Sequence, residues 1–355
     1  MDDDRRAFLD DLLATATPSG FETAGQRVFL DRVEPLADET HTDAYGNAVA
    51  VHEGDPDTDV SVVLAGHGDE IGLMVRDVTD DGFLKLTRVG GADKTVTRGQ
   101  YVTVHGSDGP VSGVVGQVAI HLRDRGDEDT SEINEMHVDI GAADGDEARE
   151  LVEVGDPITF ETEVRDLEGS LVAARGMDNR TGVWTAAEGF RRAVERDADA
   201  TVYAVSTVQE EIGRKGARMV GYDLDPDVVV AADVTHATDT PEAPGTKGSG
   251  IELGGGPAVG RGSGNHPVVV EAIRETADDE DLDLQLSAAG SDTGTDVESF
   301  YTARSGVAAV NVSIPNRYMH TPVEVIDTGD LAEVGDLMGA FAAAAEQYAP
   351  FAVEV

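Results

Sequence analysis

Between Gly72 and Val164 the chain almost abandons the helical period. Short alternating strands recur at FLKLTRV (83–89), YVTVHG (101–106), VSGVVGQV (111–118), MHVDIG (136–141) and PITFE (157–161), separated by glycine and aspartate turns. That texture predicts a small all-β, barrel-like module. On both sides the pattern is different: apolar strands alternate with helix-length amphipathic segments, the signature of an α/β architecture. The reading is one α/β domain made from residues 1–71 and 165–355, a sheet between layers of helices. The all-β module, 72–164, is inserted into it. The acidic segment between Arg123 and Ile133 reads as a loop, as does the glycine-rich stretch Gly245–Gly264.

The flanking α/β segments carry the chemistry. Helices are predicted over 4–15 and 22–36, broken by Pro18-Ser19-Gly20, and Asp43–Asn47 reads as a hairpin turn. A buried strand from Val60 ends at Gly66-His67-Gly68-Asp69-Glu70. The strand LVAA (171–174) leads into Gly176-Met177-Asp178-Asn179, and a helix spans about 181–196. The strand VYAVST (202–207) runs into Glu210-Glu211, and Val228–Ala232 ends at Asp233. A strand from Gly306 to Ser313 is followed by a loop with His320. Helices are predicted at 266–279, 295–303 and 330–348, with a strand at 282–288.

Five potential ligands thus follow apolar strands: His67, Asp178, Glu211, Asp233 and His320. Open α/β sheets place their sites beyond the carboxyl ends of strands. Taken singly, each has an ordinary reading. Asp178 and Asp233 suit helix N-caps or turns, His67-x-Asp69 suits a surface, and His320 suits a half-buried histidine. Acidic residues number 70 of 355, so about 14 adjacent acidic pairs arise from composition alone. Glu210-Glu211 stands apart because it follows a buried strand, where unpaired charge is costly. On an extended chain the two side chains diverge, so Glu211 can ligate while Glu210 faces water as a general base. Five ligands suit two metals sharing a carboxylate. At its spacing, Asp69 can orient the imidazole of His67.

Composition narrows the partners. Lys+Arg number 26 against 70 acidic residues, for a formal charge of −44, and only four residues are lysine. Acid spread along the whole length repels nucleic acid and anionic membranes, and it resembles the surface of a haloarchaeal cytosolic protein. Without cysteine there is no disulfide or thiolate site. Any metal is held by His, Asp and Glu, which favours zinc, cobalt, manganese or magnesium. MDDDRRAFLDDLL is not a signal peptide, and no run approaches a membrane span. The expectation is a cytoplasmic protein.

GHGDEIG (66–72), VGGAD (89–93), HVDIGA (137–142), MDNRTG (177–182), QEEIGRKGA (209–217), AAD (231–233), GTD (294–296) and RYMHTPVE (317–324) together resemble the tetrahedral (TET) aminopeptidases. These are dinuclear metallopeptidases of clan MH, the glutamyl and deblocking aminopeptidase group. The resemblance covers nearly the whole chain, in order. It implies two divalent metals per subunit, zinc or cobalt. His67 and Asp233 would serve one metal, Glu211 and His320 the other, and Asp178 would bridge them. It implies Glu210 as the base acting on metal-activated water, Asp69 as the residue orienting His67, and a cis bond at Asp178–Asn179. The substrates would be short peptides with a free N-terminus. The inserted module would build dimers, and six dimers a dodecamer. A carboxypeptidase or deacylase of the same clan is the alternative, and a glycosidase a further one. Two positions depart from the pattern. Asn179 replaces a second aspartate, which bears on the fit of the substrate amine. Ala92 replaces a tryptophan, which bears on packing or oligomer contacts.

Overall fold

A computed structural model describes residues 1–123, 131–241, 243 and 249–355. In chain order, α1 (Asp3–Ala14) and α2 (Thr23–Val33) precede the hairpin β1 (Glu39–Thr42) and β2 (Ala48–His52), then β3 (Ser61–His67). The strands β4 (Gly72–Val78), β5 (Phe83–Val89), β6 (Tyr101–Gly106), β7 (Gly109–Val115), β8 (His137–Asp139) and β9 (Pro157–Phe160) follow. Two short helices, α3 (Lys94–Thr97) and α4 (Gly145–Leu151), lie in their connections. Next come β10 (Arg165–Asp166), β11 (Leu171–Ala174), the long α5 (Met177–Glu195), β12 (Thr201–Thr207), α6 (Lys215–Leu224) and β13 (Val228–His236). The chain ends with β14 (Ala258–Gly262), α7 (Pro267–Asp279), β15 (Gln285–Ala289), α8 (Val297–Tyr301), β16 (Ala308–Asn316), β17 (Glu324–Asp327) and α9 (Thr328–Ala344).

Eight strands form one mixed sheet in the order β1-β2-β12-β3-β13-β16-β14-β15. Its middle, β12, β3, β13 and β16, is parallel. Parallel strands are covered on both faces, so they read as unbroken apolar runs. The two-residue period still sorts their side chains. On β3 and β13, Val62, Leu64, Val228 and Val230 face a core shared with α1, α2, α5, α7 and α9. Their neighbours Val63, Ala65, Val229 and Ala231 face a second core with Ala217 and Val220 of α6 and Phe300 of α8. Burying one such side chain contributes about 1.5–3 kcal/mol.

The strands β4-β5-β8-β7-β6-β9 close into an antiparallel barrel with a core of its own. On β5 the alternation is visible in the sequence: Leu84 and Leu86 are buried inside while Phe83 and Lys85 are exposed. Ala92, at the position noted above, is buried in this core and so bears on packing.

The chain differs from the sequence reading in several places. LVAA, as β11, stands outside the main sheet, in a three-stranded sheet between β10 and β17. The helix α6 was not predicted, because Gly213 and Gly216 at its start read as turn residues. Part of the glycine-rich stretch is the strand β14, and residues 245–248 lie outside the described residues, as do 124–130 of the acidic segment. Finally, β17 was missed because only three residues separate it from His320. Among the described residues no helix is long and apolar enough to cross a membrane.

Candidate metal centre

Register brings the site together. In the parallel ladder Thr207 of β12 lies beside His67 of β3, and Ala231 of β13 lies beside Ala65. Two residues further on, Asp233 is level with His67. The start of α5 is pressed onto the same strand end. A Cβ at Gly66 would lie 2.2 Å from the Gly182 carbonyl carbon, so only glycine permits the approach that puts Asp178 beside His67.

All five predicted ligands converge. Two groups of donor atoms each lie within 4.8 Å of one another: His67, Asp178 and Asp233, and Asp178, Glu211 and His320. Asp178 belongs to both. Its Oδ1 is 3.2 Å from His67 Nε2, and its Oδ2 is 3.2 Å from His320 Nε2. The peptide bond Asp178–Asn179 is cis, as expected. Glu210 belongs to neither group, with Oε2 4.0 Å from His67 Nε2. It lines the same cavity of about 530 Å³ as the ligands.

Asp69 does more than its spacing suggests. Its Oδ1 lies 3.3 Å from His67 Nδ1. The same carboxylate accepts the backbone N–H of Glu210 (2.9 Å), the backbone N–H of Glu211 (3.1 Å) and the Ser19 hydroxyl (2.6 Å). It therefore holds the Glu210-Glu211 turn as well as the imidazole. Asn179 corrects an expectation. It is fully buried, donates to the Ala232 carbonyl (2.8 Å) and accepts from Gly182 N–H (2.9 Å). It faces β13 and does not line the cavity, so it does not meet a substrate amine there.

The electrostatics are those of concentrated anions. Burial drives Glu210 up to about 9, against His67 and with help from Asp296, Asp233 and Asp69. Burial likewise raises Asp233 to about 8 and pushes Glu211 well up, the latter reinforced by Asp178. Asp178 runs the other way. Its burial is outweighed by hydrogen bonds from His320 and His67, which hold it well below the usual carboxylate range. The Glu211 Oε1 atom is buried with no hydrogen-bond partner. Unpaired buried anions are costly, and carboxylates mixed with imidazoles suit divalent cations. The residues of each donor group therefore fit a divalent cation.

Sequence reasoning missed two kinds of neighbour. Asp296 is buried near the cluster, accepting a hydrogen bond from Thr207 (2.5 Å). Its signal was present in GTD without an assigned role. The barrel also reaches the site through Gly90 and Gly91. A Cβ on Gly90 would come within 3.2 Å of Glu211 Oε2, and one on Gly91 within 2.6 Å of His320 Nδ1.

A mixed sheet with two adjoining metal-capable groups at its strand ends, and a carboxylate left over, defines a metal-dependent hydrolase. The comparisons agree. The family model for the M42 glutamyl aminopeptidases matches residues 46–337, and the chain belongs to that family. It is a peptide hydrolase, a metal-dependent aminopeptidase. The lysyl aminopeptidase of Pyrococcus furiosus is 34% identical over 88% of this chain and 89% of its own. The solved aminopeptidase APDkam598 of Desulfurococcus kamchatkensis superposes with a TM-score of 0.89 at 32% identity, covering 97% of this chain and 96% of that one. The TET1 peptidase of Pyrococcus horikoshii, described as able to assemble into a tetrahedron or a large octahedral shell, gives a TM-score of 0.85 at 27% identity. That match covers 95% of this chain and 99% of the other.

Proposed function

We propose that the enzyme removes single residues from the free N-terminus of short peptides, with Glu210 as general base. The observation that carries this reading is the sharing of Asp178 between two donor groups while Glu210 lines the same cavity outside both. His67 and Asp233 would hold one cation, Glu211 and His320 the other, and Asp178 both. Bound divalent cations, zinc or cobalt, would supply Lewis acidity toward the scissile carbonyl and water, and would offset the surrounding anionic charge.

The chain's own residues do the rest. Glu210 takes a proton from the attacking water and passes it to the leaving amine. Asp69 fixes the backbone on which Glu210 sits, so the carboxylate meets the water at one orientation. The carboxylate-lined cavity favours a cationic α-amine, so an acyl cap removes the group it attracts. The test compares free aminoacyl anilides with their N-acetyl forms, with and without a chelator. Hydrolysis of the free forms alone, abolished by chelation and restored by zinc or cobalt, is expected. Release of acetate from the N-acetyl forms, with the anilide bond left intact, would point instead to a deacylase.

We further propose that copies of the chain pair through the barrel and build a dodecamer. Exposed apolar side chains on and beside the barrel support this: Tyr101, Val118, Ile120 and Leu122. Light scattering should give a mass twelve times that of one chain, and a monomer at micromolar concentration would rule the assembly out.

A further inference from the structure

Glu324 closes the RYMHTPVE motif and has no part in the reaction described above. We propose that it is the positioning residue that sets Asp178 and His320 at the separation a cation needs, an inference that rests on the two-cation reading of the site. Glu324 opens β17, where the antiparallel register places it opposite Ala174, four residues before Asp178. Its side chain is buried and does not line the cavity. One carboxylate oxygen, Oε2, accepts the backbone N–H of Asp178 (3.2 Å), and the other, Oε1, accepts the backbone N–H of His320 (2.9 Å). A single carboxylate thus holds the main chain of two donors that are 142 residues apart in sequence.

The His320 loop needs such a tie. Tyr318 and His320 both occupy the left-handed region, at φ of 62° and 63°, which non-glycine residues adopt only under constraint. The base of the loop is closed by paired backbone hydrogen bonds between Arg317 and Val325 and by the Arg317–Asp239 ion pair. Within the loop, Glu324 fixes where His320 begins, and through Asp178 it fixes the partner that His320 Nε2 meets at 3.2 Å. Both oxygens act as acceptors. A Gln at 324 would turn an NH₂ toward one of the two N–H groups, while an Ala would release both.

Isothermal titration of Zn²⁺ or Co²⁺ into metal-free wild type, Glu324→Gln and Glu324→Ala tests the proposal, alongside thermal melts of the metal-free proteins. Wild type should bind two ions per chain. In Glu324→Gln one binding event should weaken about tenfold or more, the range for residues that orient metal ligands, while the metal-free melting temperature stays close to wild type. The loss should deepen in Glu324→Ala. At saturating metal, kcat should fall more than KM rises. Wild-type affinity for both ions in Glu324→Gln would overturn the proposal. So would a lowered metal-free melting temperature accompanied by normal binding, since that would make Glu324 a structural residue only. Failure of wild type to bind two ions would instead overturn the reading of the site on which this one rests.

Discussion

At the scale of single residues, small contacts hold the donors in place. Gly91 is the sharpest case. A Cβ there would meet His320 Nδ1 at 2.6 Å and Cε1 at 2.7 Å. Gly91→Ala must therefore displace the imidazole, and metal affinity should fall about tenfold or more, read by titration. Unchanged affinity would show that the ring has room to yield. The five donors and Glu210 were legible in the sequence because each follows an apolar strand. Register in the main sheet then brings His67, Asp233 and the Glu210-Glu211 turn level, while the packing of α5 on Gly66 and the loop after β16 bring in Asp178 and His320. Asp69's hold on the Glu210-Glu211 turn was not legible, since it depends on where a loop from another strand lies. Neither were the contacts of Gly90 and Gly91, which come from the barrel across 120 residues or more of chain. The role expected of Asn179 failed for a similar reason: motif position does not reveal which way a side chain turns at the start of a helix.

At the scale of elements, one buried carboxylate ties the loop after α1 to the entrance of α5. Glu70 accepts the backbone N–H of Thr17 (3.0 Å) and pairs with both Arg175 and Arg180. Burial alone would raise its pKa, but the two guanidiniums outweigh it and bring Glu70 from 4.5 down to about 2. The sign follows. The folded value lies below the unfolded one, so the stabilisation is complete above about pH 4.5 and is lost as pH falls toward 2. A shift of that size corresponds to about 3 kcal/mol. Glu70→Gln should cost about 3–5 kcal/mol at neutral pH, because two buried cations lose their partner. Measured by denaturant unfolding, the gap between wild type and variant should narrow as pH drops through that window. A gap independent of pH would mean that Glu70 is not held as the charged form. The elements themselves were largely legible, since long buried strands and amphipathic helices declare their period. The short β10, β14 and β17 were not, because two to five residues cannot establish a period against a glycine-rich background. The placement of β11 outside the main sheet is likewise a matter of pairing partners, which local pattern does not encode.

At the scale of the whole molecule, the change of texture at Gly72 was the most legible feature, and a closed six-stranded barrel lies there. Charge is the other global property. A formal −44 repels itself wherever screening is weak. The Debye length falls from about 10 Å at 0.1 M salt to about 3 Å at 1 M. We therefore propose adaptation to high salt, and the melting temperature should rise as KCl is raised from 0.1 M to 1 M and above. A midpoint that stays level or falls would count against it. In the proposed mechanism catalysis rests on Glu210, the carboxylate left outside both donor groups. Glu210→Gln should be purified, loaded with zinc or cobalt, and assayed on aminoacyl anilides with its metal content measured on the same sample. Two ions per chain, as in wild type, are expected, with kcat lower by about 10²-fold or more. Near-wild-type turnover in the fully loaded variant would contradict Glu210 as the base.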